Sequence, residues 1–376
     1  LGQRQGGAPK LQYPILEKAF LLRQEAMVTT LLIRDLRALV ACDAANSFYE
    51  NCDMLIENGI IARIGKNLQA PPGAAVFSGA HMLCYPGLVN THHHLYQFFS
   101  RNLPAVQNME LFAWLRALYE VWKNLDREVV RFSSLAALGE LAKNGCTTCF
   151  DHHYVFPQAA GDLLIDTQFE AASSLGMRMA ASRGSMDLSK KDGGLPPDTV
   201  VQTIDEILSD SLRLIERYHD ASFGSMRQIA LAPCSPFSVS GELMKQSAVL
   251  AREKGVRLHT HLAETKDEVD YTLARFGMRP LAYMESLGWV GPDVWYAHGI
   301  HFNDEEIRML AKEKTGVAHC PISNMKLSSG VARLPDLFRA GVPVGLAVDG
   351  SASNDGSNLL EEIRAGYLLH RLSWGE

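Results

Sequence analysis

Between Thr30 and about Gly87 the apolar positions come in short runs, at 31–33, 39–40, 53–56, 60–64 and 75–77, broken by Asn58-Gly59 and by Pro71-Pro72-Gly73. Asn-Gly between two apolar runs supplies the two positive φ angles of a tight hairpin, so this stretch predicts a small all-β piece. From Leu83 the pattern changes to a short apolar run followed by a longer amphipathic stretch, many times over. The strand candidates are 83–90, 147–151, 178–182, 228–232, 256–261, 294–298, 316–319 and 342–349. Helical spacing fills 129–143, 199–218, 241–254, 304–313 and 334–340, with Gly, Ser, Asp or Asn at the ends. Strands alternating with helices imply a parallel sheet, and eight such strands close it into an α/β (β/α)8 TIM barrel. An open doubly wound sheet would carry a Gly-rich phosphate turn after its first strand, whereas here the run is Thr91-His-His-His94.

The ends of the chain read differently from its middle. Residues 1–26 are polar and Gln/Gly-rich before Met27 and are expected to be a leader outside the fold. At the other end a helical pattern over 359–374 runs to Glu376 without an evident cap, which reads as a fragment. The composition of the full 376-residue chain, 47% apolar and 21% charged, is ample for a barrel and a small accessory domain. A net charge of −6 leaves no basic footprint, so neither nucleic acid nor an acidic membrane surface is an expected partner. Seven scattered cysteines suit reduced thiols in the cytoplasm. Cys146 and Cys149 form a CxxC on a strand, not on the helix N-terminus that a redox motif needs. Glu17, Lys18, Arg23 and Glu25 interrupt 11–27, so no export signal is expected there.

The strand ends carry the chemistry. Barrel active sites sit at the C-terminal ends of the strands, and here those ends supply His92, His93 and His94, then His259 and His261, His298, His319 and Asp349. Side chains alternate along a strand, so His92 and His94 share a face while His93 points away. His259 lies one layer deeper than His261 and reads as a core histidine, which leaves His261 as the ligand. With Asp349 these make three neutral imidazoles and one carboxylate, a set suited to Zn2+ with a position open for water or substrate, and to Fe2+ as the alternative ion. A second ion would want a bridging Lys at the end of strand four, and 229–237 contains none, so one metal per chain is expected. Glu264, three residues past His261, is placed to carry a proton beside the metal without ligating it, and His298 to hydrogen-bond the attacking water. The apolar residues of 109–122 follow helical spacing and are core, although Trp114 is suited to covering a flat ligand.

Five stretches carry a resemblance: Pro86-Gly-Leu-Val-Asn-Thr-His-His-His94, His259-Thr-His-Leu-Ala-Glu264, Tyr296-Ala-His298, His319-Cys-Pro-Ile-Ser-Asn324 and Val348-Asp-Gly-Ser-Ala-Ser-Asn354. In order and content they are similar to the amidohydrolase superfamily, in particular the aminohydrolases of cytosine, guanine and triazine rings. The resemblance implies a small β-sandwich piece at 27–86, part of a composite domain whose C-terminal half is missing, and a catalytic barrel over 87–376. It implies His92, His94, His261 and Asp349 as metal ligands, Glu264 as proton shuttle, and His298 and Asp349 as partners of the attacking water. The expected activity is hydrolytic deamination of a small heterocycle by a homo-oligomeric enzyme. Asp151-His-His-Tyr-Val155, Arg183-Gly-Ser-Met186 and Gly193-Gly-Leu-Pro-Pro197 are most similar to deaminases of 8-oxoguanine, with isoxanthopterin deamination and hydroxydechloroatrazine ethylaminohydrolysis as alternatives. Expected substrate contacts are Gln97, Trp114, His152, Tyr154, Arg183 and Ser185. From other classes, an amide or ester metallohydrolase and an inactive metal-binding scaffold remain as rivals.

Overall fold

The computed structural model describes residues 30–375, which belong to two compact units divided between Pro86 and Gly87. The leader expected over 1–26 lies outside the described residues.

In the first unit β1 (Thr30–Val40) pairs antiparallel with β2 (Phe48–Glu57), and β2 with β3 (Ile60–Gly65). β4 (Ala75–Ser78) and β5 (Leu83–Cys84) lie parallel to β1. The piece expected as part of a sandwich is thus a five-stranded mixed sheet. Asn58 and Gly59, at φ 51° and 79°, make the expected hairpin turn. The runs at 31–33 and 39–40 prove to be one strand with a bulge. The register slips between Ile33 and Leu36, and Asp35 sits at φ 61° with its N–H donated to Asp53 Oδ1 at 2.9 Å. Alternation along these strands buries Leu36, Leu39, Cys52 and Met54 in a core of their own.

The second unit is the barrel. Its strands are β6 (Leu88–Asn90), β7 (Cys146–Asp151), β8 (Arg178–Ser185), β9 (Arg227–Pro233), β10 (Arg257–Leu262), β11 (Val294–His298), β12 (Gly316–His319) and β13 (Val344–Leu346). They lie side by side in chain order and all parallel. First and last strands meet where Thr91 N–H donates to Leu346 O at 3.2 Å and Val348 N–H to Asn90 Oδ1 at 2.9 Å. The strands and the helices around them share one large apolar core that includes Leu138, Leu141, Ile229, Leu258 and Tyr296.

Several expectations need correction. The strand expected at 83–90 is broken at Tyr85-Pro86-Gly87, and its halves join different sheets, since Pro cannot donate to a ladder. The strand expected at 342–349 pairs only over Val344–Leu346 and then leaves the ladder, which lets Asp349 turn inward at φ 63°. The helix expected from 199 begins at Ile204, where Thr203 and Glu206 form a reciprocal capping box. Helix Leu359–Trp374 does have caps, Asn358 in front and Gly375 at φ 73° behind, a terminal glycine signal the sequence reading passed over. All seven cysteines are free thiols, and Cys146 and Cys149 lie within β7. Among the described residues no helix is long and apolar enough to cross a membrane.

Candidate active site

Hydrogen bonds at one nitrogen of each imidazole decide what the other nitrogen offers. His94 Nδ1 lies 2.6 Å from His152 O and His261 Nδ1 lies 2.6 Å from Cys234 O, so both Nδ1 atoms carry the proton and donate it. For His92 the assignment runs through a relay. His259 Nδ1 donates to Trp295 O at 2.9 Å, which leaves His259 Nε2 to accept from His92 Nδ1 at 2.8 Å. The deeper histidine therefore orients His92 rather than merely filling the core. All three Nε2 atoms are left with lone pairs, and they converge. His94 and His261 bring theirs to 3.1 Å, and Asp349 Oδ1 lies 3.3 Å from His92 Nε2 and 3.2 Å from His94 Nε2. Four lone-pair donors share this spot without a proton among them, and His92 Nε2 makes no hydrogen bond. Burial lowers the pKa of His92 to about 4 and that of His261 well below the usual value. A cation relieves that repulsion, and the ligand atoms of His92, His94, His152 and His261, and those of His92, His298 and Asp349, lie close enough together to hold one, so the cluster fits a divalent metal ion.

Asp349 stays ionised. Burial pushes its carboxyl up, but the side facing His92 and His94 outweighs burial and holds it well below the usual carboxylate range; because their Nε2 atoms carry lone pairs, this requires a positive charge shared among the three side chains. Its second oxygen accepts from Ser323 Oγ at 2.6 Å and Ser353 Oγ at 3.2 Å. Glu264 is driven the opposite way. Burial, with Asp349 and Glu268 nearby, pushes its carboxyl well above the usual range. Its Oε1 accepts from Ser329 Oγ at 3.3 Å and its Oε2 lies 3.4 Å from His298 Nε2. His298, whose pKa burial lowers to about 3, has Asn324 Nδ2 3.0 Å from its other nitrogen. His298 and Asp349 both take positive φ, 75° and 63°, and so does Ala263 beside Glu264 at 53°. Backbone strain of this kind in residues with side chains concentrates at functional sites.

Gln97, Trp114 and Tyr154 line a small cavity together with His94, His261, Glu264, His298 and Asp349. Cys234, Phe237, Leu327 and Ser353, with Leu111 and Leu115, are further parts of its wall, and the first four were not anticipated. Ser323, Asn324, Ser353 and Ser329 were also missed as supports, although three of them stand inside motifs quoted above. The remaining expected contacts are placed elsewhere. His152 donates its Nε2–H to Ala232 O at 2.8 Å and stacks on His261 with centroids 4.7 Å apart, so it belongs to the imidazole cluster and not to the cavity wall. Arg183 is committed to Asp210 at 2.6 Å, to Gln202 at 2.8 Å and to the face of Phe156 at 3.8 Å. Ser185 is buried without reaching the cavity. His93 turns away as the alternation requires and meets Ser357 Oγ at 3.0 Å. His319, counted among the residues at the mouth, instead faces His370 at 3.1 Å, since Ala318 takes the inward position on that strand.

A parallel eight-stranded barrel with converging imidazoles and a carboxylate at its C-terminal mouth, faced by a carboxyl whose proton affinity burial raises, defines a metal-dependent hydrolase. Residues 83–376 match the amidohydrolase family, and the chain belongs to that family. It is 50% identical over 342 residues to the 8-oxoguanine deaminase of Pseudomonas aeruginosa, covering 90% of this chain and 76% of that one. It is 41% identical over 360 residues to the hydroxydechloroatrazine ethylaminohydrolase of Pseudomonas sp. (strain ADP), covering 93% and 74%. Among solved structures, the zinc complex of atrazine chlorohydrolase from Arthrobacter aurescens TC1 is similar with a TM-score of 0.88 and 33% identity, over 92% of this chain and 78% of that one.

Proposed function

We propose that this chain is a zinc-dependent cytoplasmic deaminase of a purine-like heterocycle, converting 8-oxoguanine and water to uric acid and ammonia. The observation that carries the reading is the pair of carboxyls pushed in opposite directions at one cavity. The Asp349 carboxyl is held well below the usual carboxylate range, and burial pushes the Glu264 carboxyl well above it. Such a divergence assigns a base and an acid.

His92, His94, His261 and Asp349 would hold the ion, which when bound supplies a Lewis acid that makes water a nucleophile at neutral pH. His298 and Asp349 orient the attacking water and take up its proton, both being unprotonated. Glu264 donates its proton to the ring nitrogen beside the amino-bearing carbon as that carbon becomes tetrahedral. Breaking the bond to the amino group then releases ammonia. Each element balances: one water enters, its oxygen stays on the ring and its hydrogens leave on nitrogen or remain exchangeable.

The substrate assignment rests on the 50% identity to an 8-oxoguanine deaminase and on two polar atoms of the cavity residues. Trp114 Nε1 and Gln97 Oε1 are buried without a hydrogen-bond partner. 8-Oxoguanine adds to guanine a carbonyl at C8 and a proton at N7, an acceptor and a donor that would complement such a pair. The test is ammonia release by the zinc-loaded protein from a panel of purines, pterins and triazines. Expected is a kcat/KM for 8-oxoguanine at least ~10²-fold above that for guanine, because a polar site left unpaired rejects the lesser analogue. Turnover of isoxanthopterin or a triazine alone would leave deamination standing and overturn the substrate.

A further inference from the structure

Glu268 lies on helix Lys266–Phe276, outside the metal-binding atoms and the cavity wall, and is fully buried. Among the described residues no cation pairs with it. A buried carboxyl without a counter-ion is costly, so its place needs a reason. Its two oxygens each take a backbone N–H, Oε1 from Ala263 at 2.8 Å and Oε2 from Glu264 at 3.0 Å. These amides belong to the turn that ends β10, where Ala263 is held in the left-handed region. The carbonyls of the same turn are also engaged: Leu262 O accepts from Gly299 N–H at 3.1 Å and Ala263 O from His301 N–H at 2.9 Å. Those two amides stand one and three residues after His298. The turn is therefore gripped from one side by Glu268 and from the other by the segment carrying His298. From it projects Glu264, which meets His298 at 3.4 Å.

We infer that Glu268 is a positioning residue that sets Glu264 against His298 and the reacting ring, and that it acts on the reaction only through Glu264; this rests on the deaminase reading above. A carboxylate is needed because two N–H donors converge. Glutamine offers one oxygen and turns an NH2 against the second donor, and aspartate is one methylene too short to span both.

The experiment is a double-mutant cycle on the zinc-loaded protein, with the heterocycle of the panel that reacts fastest. Glu268→Gln and Glu268→Asp should each lower kcat at least ~10-fold, the scale expected when a reacting group is displaced by a fraction of an ångström. KM should stay within about threefold and metal content at the wild-type level, which general loosening of the fold would not preserve. In a Glu264→Gln background the same substitutions should cost less than about twofold, because the group they position is gone. Wild-type kcat in both single variants, or losses that multiply fully in the double variants, would overturn the inference. Should Glu268→Gln lack a cooperative thermal transition, the aspartate variant carries the cycle alone. Near-wild-type turnover in Glu264→Gln by itself would remove the proton-transfer role, and this inference with it.

Discussion

The two mouths of the barrel differ in the opposite sense to their size. At the N-terminal ends of the strands, Val89, Thr148, Phe150, Trp295 and Gly345 line an open cavity of about 670 Å³, with Arg257 and Lys314 on it. At the C-terminal ends the cavity is only about 30 Å³. Yet the polar groups at the base satisfy one another: Trp295 Nε1 donates to Thr91 O at 3.1 Å, and Asn90 bridges His92 O and Val348 N–H. The small cavity is where buried polar atoms of its residues go unpaired, on Gln97 and Trp114, beside the orphaned His92 Nε2. Room alone therefore says little about function; unsatisfied polar atoms and opposed carboxyls say more.

Variants at the two mouths should separate accordingly. The largest effect is expected for His261→Ala, which should reduce about one equivalent of bound metal to a small fraction and bring turnover to background; metal retention by elemental analysis would show the ligand set to be wrong. Next comes Glu264→Gln, with metal and fold kept and kcat down at least ~10²-fold in steady-state assays. Arg257→Ala at the base should leave kcat/KM within about twofold, as expected of an exposed side chain away from the chemistry. A tenfold loss there would erase the contrast between the mouths.

The smallest effect concerns stability. Burial pushes Glu362 up to about 8, while Ile322 N–H and the Asn354 amide donate to it. The folded state thus holds a proton that the unfolded chain releases near 4.5. Stability from this group is complete below about 4.5 and is lost as pH rises toward 8. The Tm deficit of Glu362→Gln relative to wild type should therefore be larger at pH 5 than at pH 8. An equal deficit at both would exclude the linkage.

The barrel was legible because strands buried on both faces read as unbroken apolar runs. Its strand boundaries were less so, as at Pro86, where a continuous run conceals a change of sheet. The facing of the imidazoles was legible through the period of two, which separates His92 and His94 from His93. His319 was sent to the mouth by its place at a strand end alone, without regard to which face of β12 was inward. Arg183 sits near a strand end, but its partner Asp210 lies 27 positions on, and no spacing rule reveals such a pair. Ser323, Ser353, Asn324 and Glu268 are ordinary polar residues in sequence. Their roles depend on what stands opposite them in space.

Ring closure between β6 and β13 has a kinetic side. The bond from Val348 to Asn90 spans 258 positions, and Asp349 N–H reaches back to His92 O at 3.1 Å. The cation site draws on the first, fifth and last strands of the barrel, so no partly assembled chain can possess it. Contacts of such long range form late, after most of the loop-closure entropy has been spent. A metal that recognises this geometry binds the native ring and not its precursors, and its binding free energy then adds to the stability of the closed form alone. During refolding, acquisition of tightly held metal becomes a clock for the moment the circle of strands is complete.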